Sequence, residues 1–355
     1  MLTYSEFITM KNLFRFPFWV MIILIGLILS GCDVLNMLGY DIKPAEEMCL
    51  DRSSSVDQDL PAPDPAALTG VIYFLSDRDN AQGEIYRIPA GGGTAARLTE
   101  NDISESGLTI SPDGTRLAFA AQGNVYQMEL ACAERAEGCG QADWRLLAEG
   151  VTDPAWSPDG KMLAVTVPLP NSPVSGGSAD IALLDLASGE LTRLNIGKER
   201  DCADCGVTVA RSPSWAPDGR LVYYLWPWPN SSGQWNLRTV DENLHENVMS
   251  YVAGKEETAP VFSPDQSQAV WADNGVCWFS AESGQPVTLW TPGQTSVQTP
   301  VFSPDGGTLA FTADSSGQLE IFVMSVPAAG TVNRGSGQLN LTQNPANDWS
   351  PIWIP

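Results

Sequence analysis

The sequence has few of the side chains that enzymes use for proton transfer, nucleophilic attack and metal binding. Its 355 residues include one histidine, His245, which excludes a histidine-rich metal site. It contains no Gly-x-Ser-x-Gly motif, so the nucleophile turn of an α/β-hydrolase is missing. Abundant carboxylates leave a two-acid glycosidase open in principle, but no spacing singles out a pair. We therefore expect no catalytic residue, no metal and no cofactor.

Basic residues are also scarce relative to acidic ones. The chain has 19 Lys and Arg residues against 42 Asp and Glu residues, which gives a formal net charge of -23 at pH 7. Such a surface repels nucleic acid and anionic lipid headgroups, and it favours cationic or neutral partners. Nucleic acid is therefore not an expected partner. A solvated acidic surface without any specific partner is the alternative explanation of this charge.

A single long apolar run lies near the N-terminus, at residues 16–30. Lys11 and Arg15 precede it, and it is shorter than the roughly 20 residues that a membrane-spanning helix needs. Basic residues, a short apolar run and then small residues are typical of a secretory signal peptide. We predict a signal peptide at residues 1–31.

The residues that follow, Leu29-Ser30-Gly31-Cys32, resemble the bacterial lipobox, in which the peptidase cuts before a cysteine whose thiol has been acylated. The resemblance implies a mature N-terminus at Cys32 that carries acyl chains such as palmitate and anchors the protein to the outer face of a bacterial membrane. An uncleaved anchor with an incidental cysteine is the alternative. Residues 32–69 include Asp-Leu-Pro-Ala-Pro-Asp-Pro and no clear apolar periodicity, so we expect a flexible tether there.

Six cysteines follow Cys32, in a chain predicted to enter an oxidising compartment. Two pairs are close in sequence, Cys132 with Cys139 and Cys202 with Cys205, and we expect two local disulfides. The predicted strand directions place the pairs on opposite faces of the domain, which excludes a shared zinc site. A thioredoxin-like Cys-x-x-Cys at 202–205 lacks the βαβ context that such chemistry needs. The pairing of the other two, Cys49 and Cys277, is left open.

The rest of the chain repeats one motif, Pro-x-Trp/Phe-Ser/Ala-Pro-Asp-Gly, with small variations. Its second prolines are spaced 40 to 59 residues apart, close to the period of four-stranded propeller blades. Pro-Asp-Gly is turn chemistry, because proline presets φ, Asp bonds its own backbone and Gly adopts a left-handed conformation. The copies lie at residues 108–114, 154–160, 213–219, 260–265, 300–306 and, truncated, 351–355.

Apolar runs after each turn predict further strands that are covered on both faces. Residues 71–75, 85–88 and 96–99 read as second, third and fourth strands without a first strand, and residues 351–354 read as a first strand with nothing after it. We therefore predict an all-β domain over residues 70–355. It is a six-bladed β-propeller of four-stranded blades whose ring is closed by the C-terminal strand, with five or seven blades as alternatives.

The Ser-Pro-Asp-Gly repeat, together with Ser76-Asp-Arg-Asp79, Glu84-Ile-Tyr86 and Arg97-Leu-Thr99, resembles the TolB-type propeller family, a relative of WD-repeat blades. The resemblance implies the fold and not a function. The periplasmic family member has an additional N-terminal α/β domain and binds a peptidoglycan-associated lipoprotein, and residues 33–69 are too few for that domain. The repeats also resemble the propeller of dipeptidyl-peptidase-IV-like hydrolases, without their hydrolase domain.

Three long loops, at residues 168–178, 195–212 and 226–233, are predicted to open on one face. Prolines restrict the backbone around Trp226 and Trp228, which makes them candidate ligand contacts, and the alternative is that they cap blade edges. The other candidate contacts there are Asn230, Lys198 and Arg200.

We expect a non-enzymatic, lipid-anchored extracytoplasmic propeller that binds a protein or cell-envelope glycan. The alternatives are a glycan or peptide hydrolase or lyase that uses rim carboxylates, and a structural or sensory ectodomain. The sequence does not identify the ligand.

Overall fold

We describe the fold from a computed structural model, in which all described residues fall within one compact unit, Ala45–Pro355. The described residues are 56–58, 60–135, 138–169, 178–196, 208–216, 218–227, 235–240, 246–252, 260–265, 267–272, 275–280, 286–290, 297–314, 317–327, 331–333 and 337–355. Among them, no helix is long and apolar enough to cross a bilayer. Residues 16–30 lie outside this part of the chain.

Within the described residues, the strands form six antiparallel sheets of four strands each. We number the sheets from the one nearest the N-terminus. Their strands, in spatial order, are as follows: sheet 1, Asp348–Ile354, Val71–Ser76, Glu84–Pro89 and Ala96–Arg97; sheet 2, Glu105–Ile110, Arg116–Ala121, Asn124–Glu129 and Arg145–Glu149; sheet 3, Thr152–Trp156, Met162–Leu169, Ser178–Asp185 and Leu191–Arg193; sheet 4, Thr208–Trp215, Leu221–Pro227, Trp235–Val240 and Glu246–Val252; sheet 5, Val261–Phe262, Gln268–Ala272, Val276–Ser280 and Pro286–Trp290; sheet 6, Val297–Phe302, Thr308–Asp314, Leu319–Ser325 and Gln338–Asn340.

Sheet 1 combines the two ends of the domain. Its first strand comes from the C-terminus and pairs with Val71–Ser76, with Val71 opposite Ile354 and Ser76 opposite Asp348. The indole Nε1 of Trp353 donates a hydrogen bond to the Thr69 carbonyl oxygen, 2.9 Å away. The C-terminal strand therefore supplies the first strand of sheet 1, as the sequence predicts.

The six sheets follow one another in a propeller-like arrangement. The first strand of each sheet contacts the first strand of the next, and Asp348–Ile354 contacts both Glu105–Ile110 of sheet 2 and Val297–Phe302 of sheet 6. Phe119 packs towards sheet 1 beside Leu75, whereas its neighbour Ala120 packs towards sheet 3 beside Val165. Alternate residues of one strand thus face opposite sheets, which explains why the second strands are apolar on both faces.

A bulge recurs in the first strands. In five sheets one residue of this strand has a positive φ, between 46° and 58°, where the strand pairing shifts register. In four of them the next residue is the first proline of the motif. The bulge adds one residue to the strand and bends it. The residues concerned are Gly107, Asp153, Ser212, Thr299 and Ser350.

The predicted tether at 32–69 is too long. Val56–Gln58 pairs in parallel with Thr331–Asn333, and Pro65–Ala67 forms a 3-10 helix capped by the Asp64 side chain. Leu68 packs against the buried cluster that contains Ile72. The described residues 56–58 and 60–69 therefore belong to the folded unit, because backbone pairing and a short capped helix hold them where apolar periodicity is absent.

Candidate functional site

Most of the binding residues predicted from the sequence lie outside the described residues. The sole exception is Trp226, whose backbone pairs with Val209 in sheet 4. Their grouping into one site therefore stays a prediction, as does lipidation. The residues outside the described part of the chain are Cys32, Lys198, Arg200, Cys202, Cys205, Trp228 and Asn230.

Cys132 and Cys139 are bonded to each other in the structure, with their Cα atoms 5.0 Å apart. They lie in the connection between the third and fourth strands of sheet 2, where both are buried. The Cys139 N–H donates to the Leu98 carbonyl at 3.2 Å, and an Arg87 Nη2 donates to the Ala133 carbonyl at 2.9 Å. The disulfide therefore fixes a loop that packs against sheet 1.

A concave space of about 650 Å³ lies between the first strands of sheets 1, 2, 5 and 6. We call it the first-strand hollow, lined by residues 107–114, 261–262, 264, 299–304 and 350–355. Most of its aliphatic and aromatic side chains are half-buried, so they reach the empty space. A mainly apolar concave surface of this volume is typical of a ligand site. Its apolar side chains include Leu108, Ile110, Phe262, Val301, Ile352 and Ile354.

The turns beside the hollow carry exposed carboxylates that hydroxyl groups hold in place. Ser111, Ser263 and Ser303 each donate from Oγ to Oδ1 of the Asp two residues later, at 2.6 Å in every case. These hydrogen bonds lower the pKa of the carboxyls of Asp113, Asp265 and Asp305, because they stabilise the ionised form. The same turn in sheet 4 has Ala216 and lacks this hydroxyl.

Among the described side chains that line the hollow, Asp113 is the one ionisable group. General acid–base catalysis on a glycan or peptide needs two groups of different pKa within reach of the substrate. The first-strand hollow therefore offers an apolar binding surface and no acid–base pair.

A second cluster, which sequence reasoning missed, lies between sheets 1 and 2. Glu84 is fully buried and accepts hydrogen bonds from the Asn101 N–H at 2.7 Å and from Arg97 Nη2 at 3.0 Å. Glu105 is also buried, and it accepts from Asn101 Nδ2 at 2.8 Å and from Thr99 Oγ1 at 3.0 Å. The Asn101 side chain therefore connects the two carboxylates of neighbouring sheets.

The same arrangement recurs between sheets 6 and 1. Thr342 Oγ1 and the Asn344 N–H donate to Glu320, and Asn344 Nδ2 donates to the fully buried Asp348. Arg78 Nη2 lies 2.8 Å from both carboxylate oxygens of Asp348. The signal in the sequence is Leu-Thr-x-Asn at 98–101 and 341–344, with an acidic residue four positions after each Asn. These carboxylates bond to protein donors and tie adjacent sheets together.

The fold is similar to those of several solved structures, and no family profile matches the chain. TolB from Acinetobacter baumannii superposes with a TM-score of 0.61 at 17% identity, covering 81% of this chain and 67% of that one. A putative TolB from Agrobacterium tumefaciens gives 0.52 at 14% identity, covering 81% and 99%. The chain has a TolB-like β-propeller fold. This confirms the fold type that the Ser-Pro-Asp-Gly repeat predicts.

Among curated sequences, the TolB-like propeller of this chain is similar to an uncharacterized peptidase, YuxL, of Bacillus subtilis. The two are 25% identical over 247 residues, which is 64% of this chain and 34% of the relative. The chain thus spans about a third of the length of that relative. Within the described part of the TolB-like propeller, no group of three or more His, Cys, Asp or Glu residues is placed to hold a metal ion.

Proposed function

We propose that this protein is a non-enzymatic, lipid-anchored extracytoplasmic propeller that binds a protein or cell-envelope ligand in its first-strand hollow. The observation that carries the proposal is the hollow itself, which is concave, mainly apolar and without an acid–base pair among its described side chains. Binding sites for partners and small molecules commonly have this character. The acidic composition of the chain favours a cationic or neutral ligand.

The proposal includes a closed ring of six blades. The contacts of Asp348–Ile354 with the first strands of both sheet 2 and sheet 6 support a closed ring, as does its pairing with Val71–Ser76. A ring leaves only short, protected sheet edges, and the C-terminal strand covers the edge of Val71–Ser76. A ring also places the six first strands around one axis, so that the hollow is a common feature of several blades.

The anchor and the location belong to the same proposal. Basic residues, a short apolar run and Leu29-Ser30-Gly31-Cys32 support export and lipidation on Cys32. Several acyl chains hold a protein to a membrane firmly where a single chain gives marginal binding. The folded unit starts before residue 60, so the proposed tether between Cys32 and the propeller is shorter than the sequence suggests.

An enzyme is the competing function. The match to an uncharacterized peptidase favours it, as do the buried carboxylates between the sheets. Against it, Glu84, Glu105 and Asp348 are each at most 1% exposed and hydrogen-bonded to protein groups. A substrate could reach them only if neighbouring sheets separated.

Site-specific crosslinking tests the binding function. Benzoylphenylalanine is placed at Phe262 in the hollow, at Trp228 in the predicted loop site, and at Leu146, which is 45% exposed on the fourth strand of sheet 2. We expect an adduct with one partner from position 262 in intact cells, and no adduct from position 146. An adduct from position 228 alone would move the site to the loops. No adduct, together with turnover of glycan or peptide substrates, would favour the enzyme.

Mass spectrometry of the membrane-extracted protein tests the anchor. The expected species begins at Cys32 and carries the mass of its acyl chains. Cys32→Ala should leave the precursor uncleaved or release the protein from the membrane. A processed protein with an unmodified Cys32 would contradict lipidation.

A further inference from the structure

We infer that the first-strand hollow binds a protein segment that has an apolar tip between basic residues. The apolar tip enters the hollow, and the basic residues contact Asp265 and Asp305 at its edge. This inference rests on the proposed binding function and adds the chemical class of the partner.

The apolar half of the inference follows from the lining. Phe262, Val301 and Ile352 are half-buried and line an open space of about 650 Å³. Burying such surface against a partner stabilises the complex in proportion to the apolar area removed from water, before the costs of association. Leucine or phenylalanine side chains match this lining, because it has apolar contacts to offer and few charged ones.

The basic half follows from the charges beside the lining. Asp265 and Asp305 are exposed and sit next to Pro264 and Pro304 of the hollow. Hydrogen bonds from Ser263 and Ser303 hold their pKa values low, so both carboxyls stay ionised at neutral pH. Within the described residues, no Lys or Arg forms an ion pair with either of them, whereas Asp159 pairs with Lys161 and Asp218 with Arg220 in sheets 3 and 4.

One cation lies near the third carboxylate of this edge. Arg116 Nη2 is 3.6 Å from Asp113 Oδ2, and the guanidinium lies 4.6 Å from the ring centroid of Trp156 in sheet 3. It therefore offsets Asp113, whereas no Lys or Arg in the described part of the chain offsets Asp265 or Asp305. Together with the net charge of -23, the edge attracts Lys and Arg and repels acidic segments and anionic headgroups.

Two blocked synthetic peptides test the inference. Both have the core Leu-Phe-Leu, which is flanked on each side by two Lys in one peptide and by two Glu in the other. Binding is measured by fluorescence anisotropy against the full chain in phosphatidylcholine nanodiscs, with empty nanodiscs as the blank. We expect the Lys peptide to bind, the Glu peptide not to bind, and the affinity of the Lys peptide to fall with added salt.

The variants separate this edge from the acidic surface in general. The double substitution Asp265→Asn with Asp305→Asn should weaken binding of the Lys peptide by about tenfold. Asp159→Asn with Asp218→Asn removes the same number of charges from the equivalent turns of sheets 3 and 4, and it should leave binding unchanged. The Asn side chain can still accept the turn hydrogen bonds, and unchanged melting of both variants confirms that they fold.

Several outcomes would overturn the inference. They are equal binding of the two peptides, equal effects of the two double variants, binding of a neutral cell-wall oligosaccharide in competition with the Lys peptide, and concentration-dependent self-association that blocks the peptide. The crosslinking experiment distinguishes the causes of failure. If a partner is captured at position 262 but the Lys peptide binds no better than the Glu peptide, the binding function is supported and the basic character of the partner is wrong. If no partner is captured and the Lys peptide shows no preferential binding, both the binding function and the basic character of the partner are wrong.

Discussion

Glu105 shows how a buried carboxyl responds to its neighbours. Burial raises its pKa to about 7, and the negative charge of Glu84 in the adjacent sheet adds to the shift. Hydrogen bonds from Asn101 and Thr99 oppose the shift, because they favour the ionised form. Arg97 compensates Glu84 and not Glu105, since its Nη2 lies 3.0 Å from Glu84. Burial is thus the cause that dominates the pKa of Glu105.

This environment predicts a pH dependence of stability. The pKa of Glu105 is higher in the folded state than its ordinary value of 4.5, so the folded state holds a proton that the unfolded state releases. Its contribution to stability is therefore fully present below about pH 4.5 and is lost as the pH rises towards 7. We expect Glu105→Gln, which mimics the protonated form, to be more stable than the wild type at pH 8 by about 2–3 kcal/mol.

Thermal melting at pH 5 and pH 8 measures the effect. The wild type should lose more stability across this interval than Glu105→Gln. The variant should still lose some stability, because the pKa of Glu320 is also raised. Glu149→Gln, an exposed acid on the fourth strand of sheet 2, is the control and should follow the wild type. Identical slopes for wild type and Glu105→Gln would show that Glu105 is ionised throughout.

At the scale of the element, the recurring unit is the turn between the first and second strands. Ser303 Oγ donates to Asp305 at 2.6 Å and accepts from the Thr308 N–H at 3.0 Å, although Ser303 is almost completely buried. One hydroxyl therefore connects both arms of the turn. Ser111, Ser157 and Ser263 make the same pair of contacts, and sheet 4 does without them because it has Ala216.

Sheet 4 provides a test of what this hydroxyl contributes. Ser303→Ala should lower the free energy of unfolding by about 1–3 kcal/mol, because it leaves the Thr308 N–H without its buried acceptor. Ala216→Ser should raise it by about 0.5 kcal/mol at most, since the new hydroxyl can donate to Asp218 but the Arg220 N–H already donates to Asp218 Oδ1. Denaturant unfolding measures both. The sheet 4 turn closes one residue earlier than the others, with the Ala216 N–H donating to the Arg220 carbonyl. A loss of stability in Ala216→Ser would show that the new hydroxyl finds no partner in this shorter turn.

The elements also show what the sequence could reveal about this fold. The turns and the strands beside them were predictable, because Pro-Asp-Gly acts within a few residues and each second strand follows it directly. The carboxylate clusters were not, since the donors that keep Asp348 buried include Arg78, which is 270 residues away. The hollow was missed for the same reason. Its lining combines short pieces of four first strands, none of which is distinctive alone.

For the whole molecule, the decisive question is whether the six sheets behave as one ring. In a closed ring each sheet is covered on both faces by its neighbours, whereas an open row of sheets would have two uncovered faces at its ends. In a ring, weakening the interface between sheets 6 and 1 destabilises every other interface as well. In an open array, stability is a sum of nearest-neighbour contributions, and damage stays local. The C-terminal strand belongs to sheet 1 and contacts sheet 6, so a substitution in this strand can distinguish a closed ring from an open array.

Trp353→Ala weakens the contacts of the C-terminal strand without removing the strand. Trp353 is 8% exposed and bonds to the Thr69 carbonyl, so its truncation should cost about 3–5 kcal/mol. In a closed ring we expect hydrogen exchange to accelerate even in Met162–Leu169 of sheet 3, which is separated from sheet 1 by sheet 2. Leu146→Ala, at an exposed position in sheet 2, should leave exchange in Met162–Leu169 unchanged. Faster exchange confined to sheets 1 and 6 would show an open array, because only a ring transmits the loss to sheets that Trp353 does not touch.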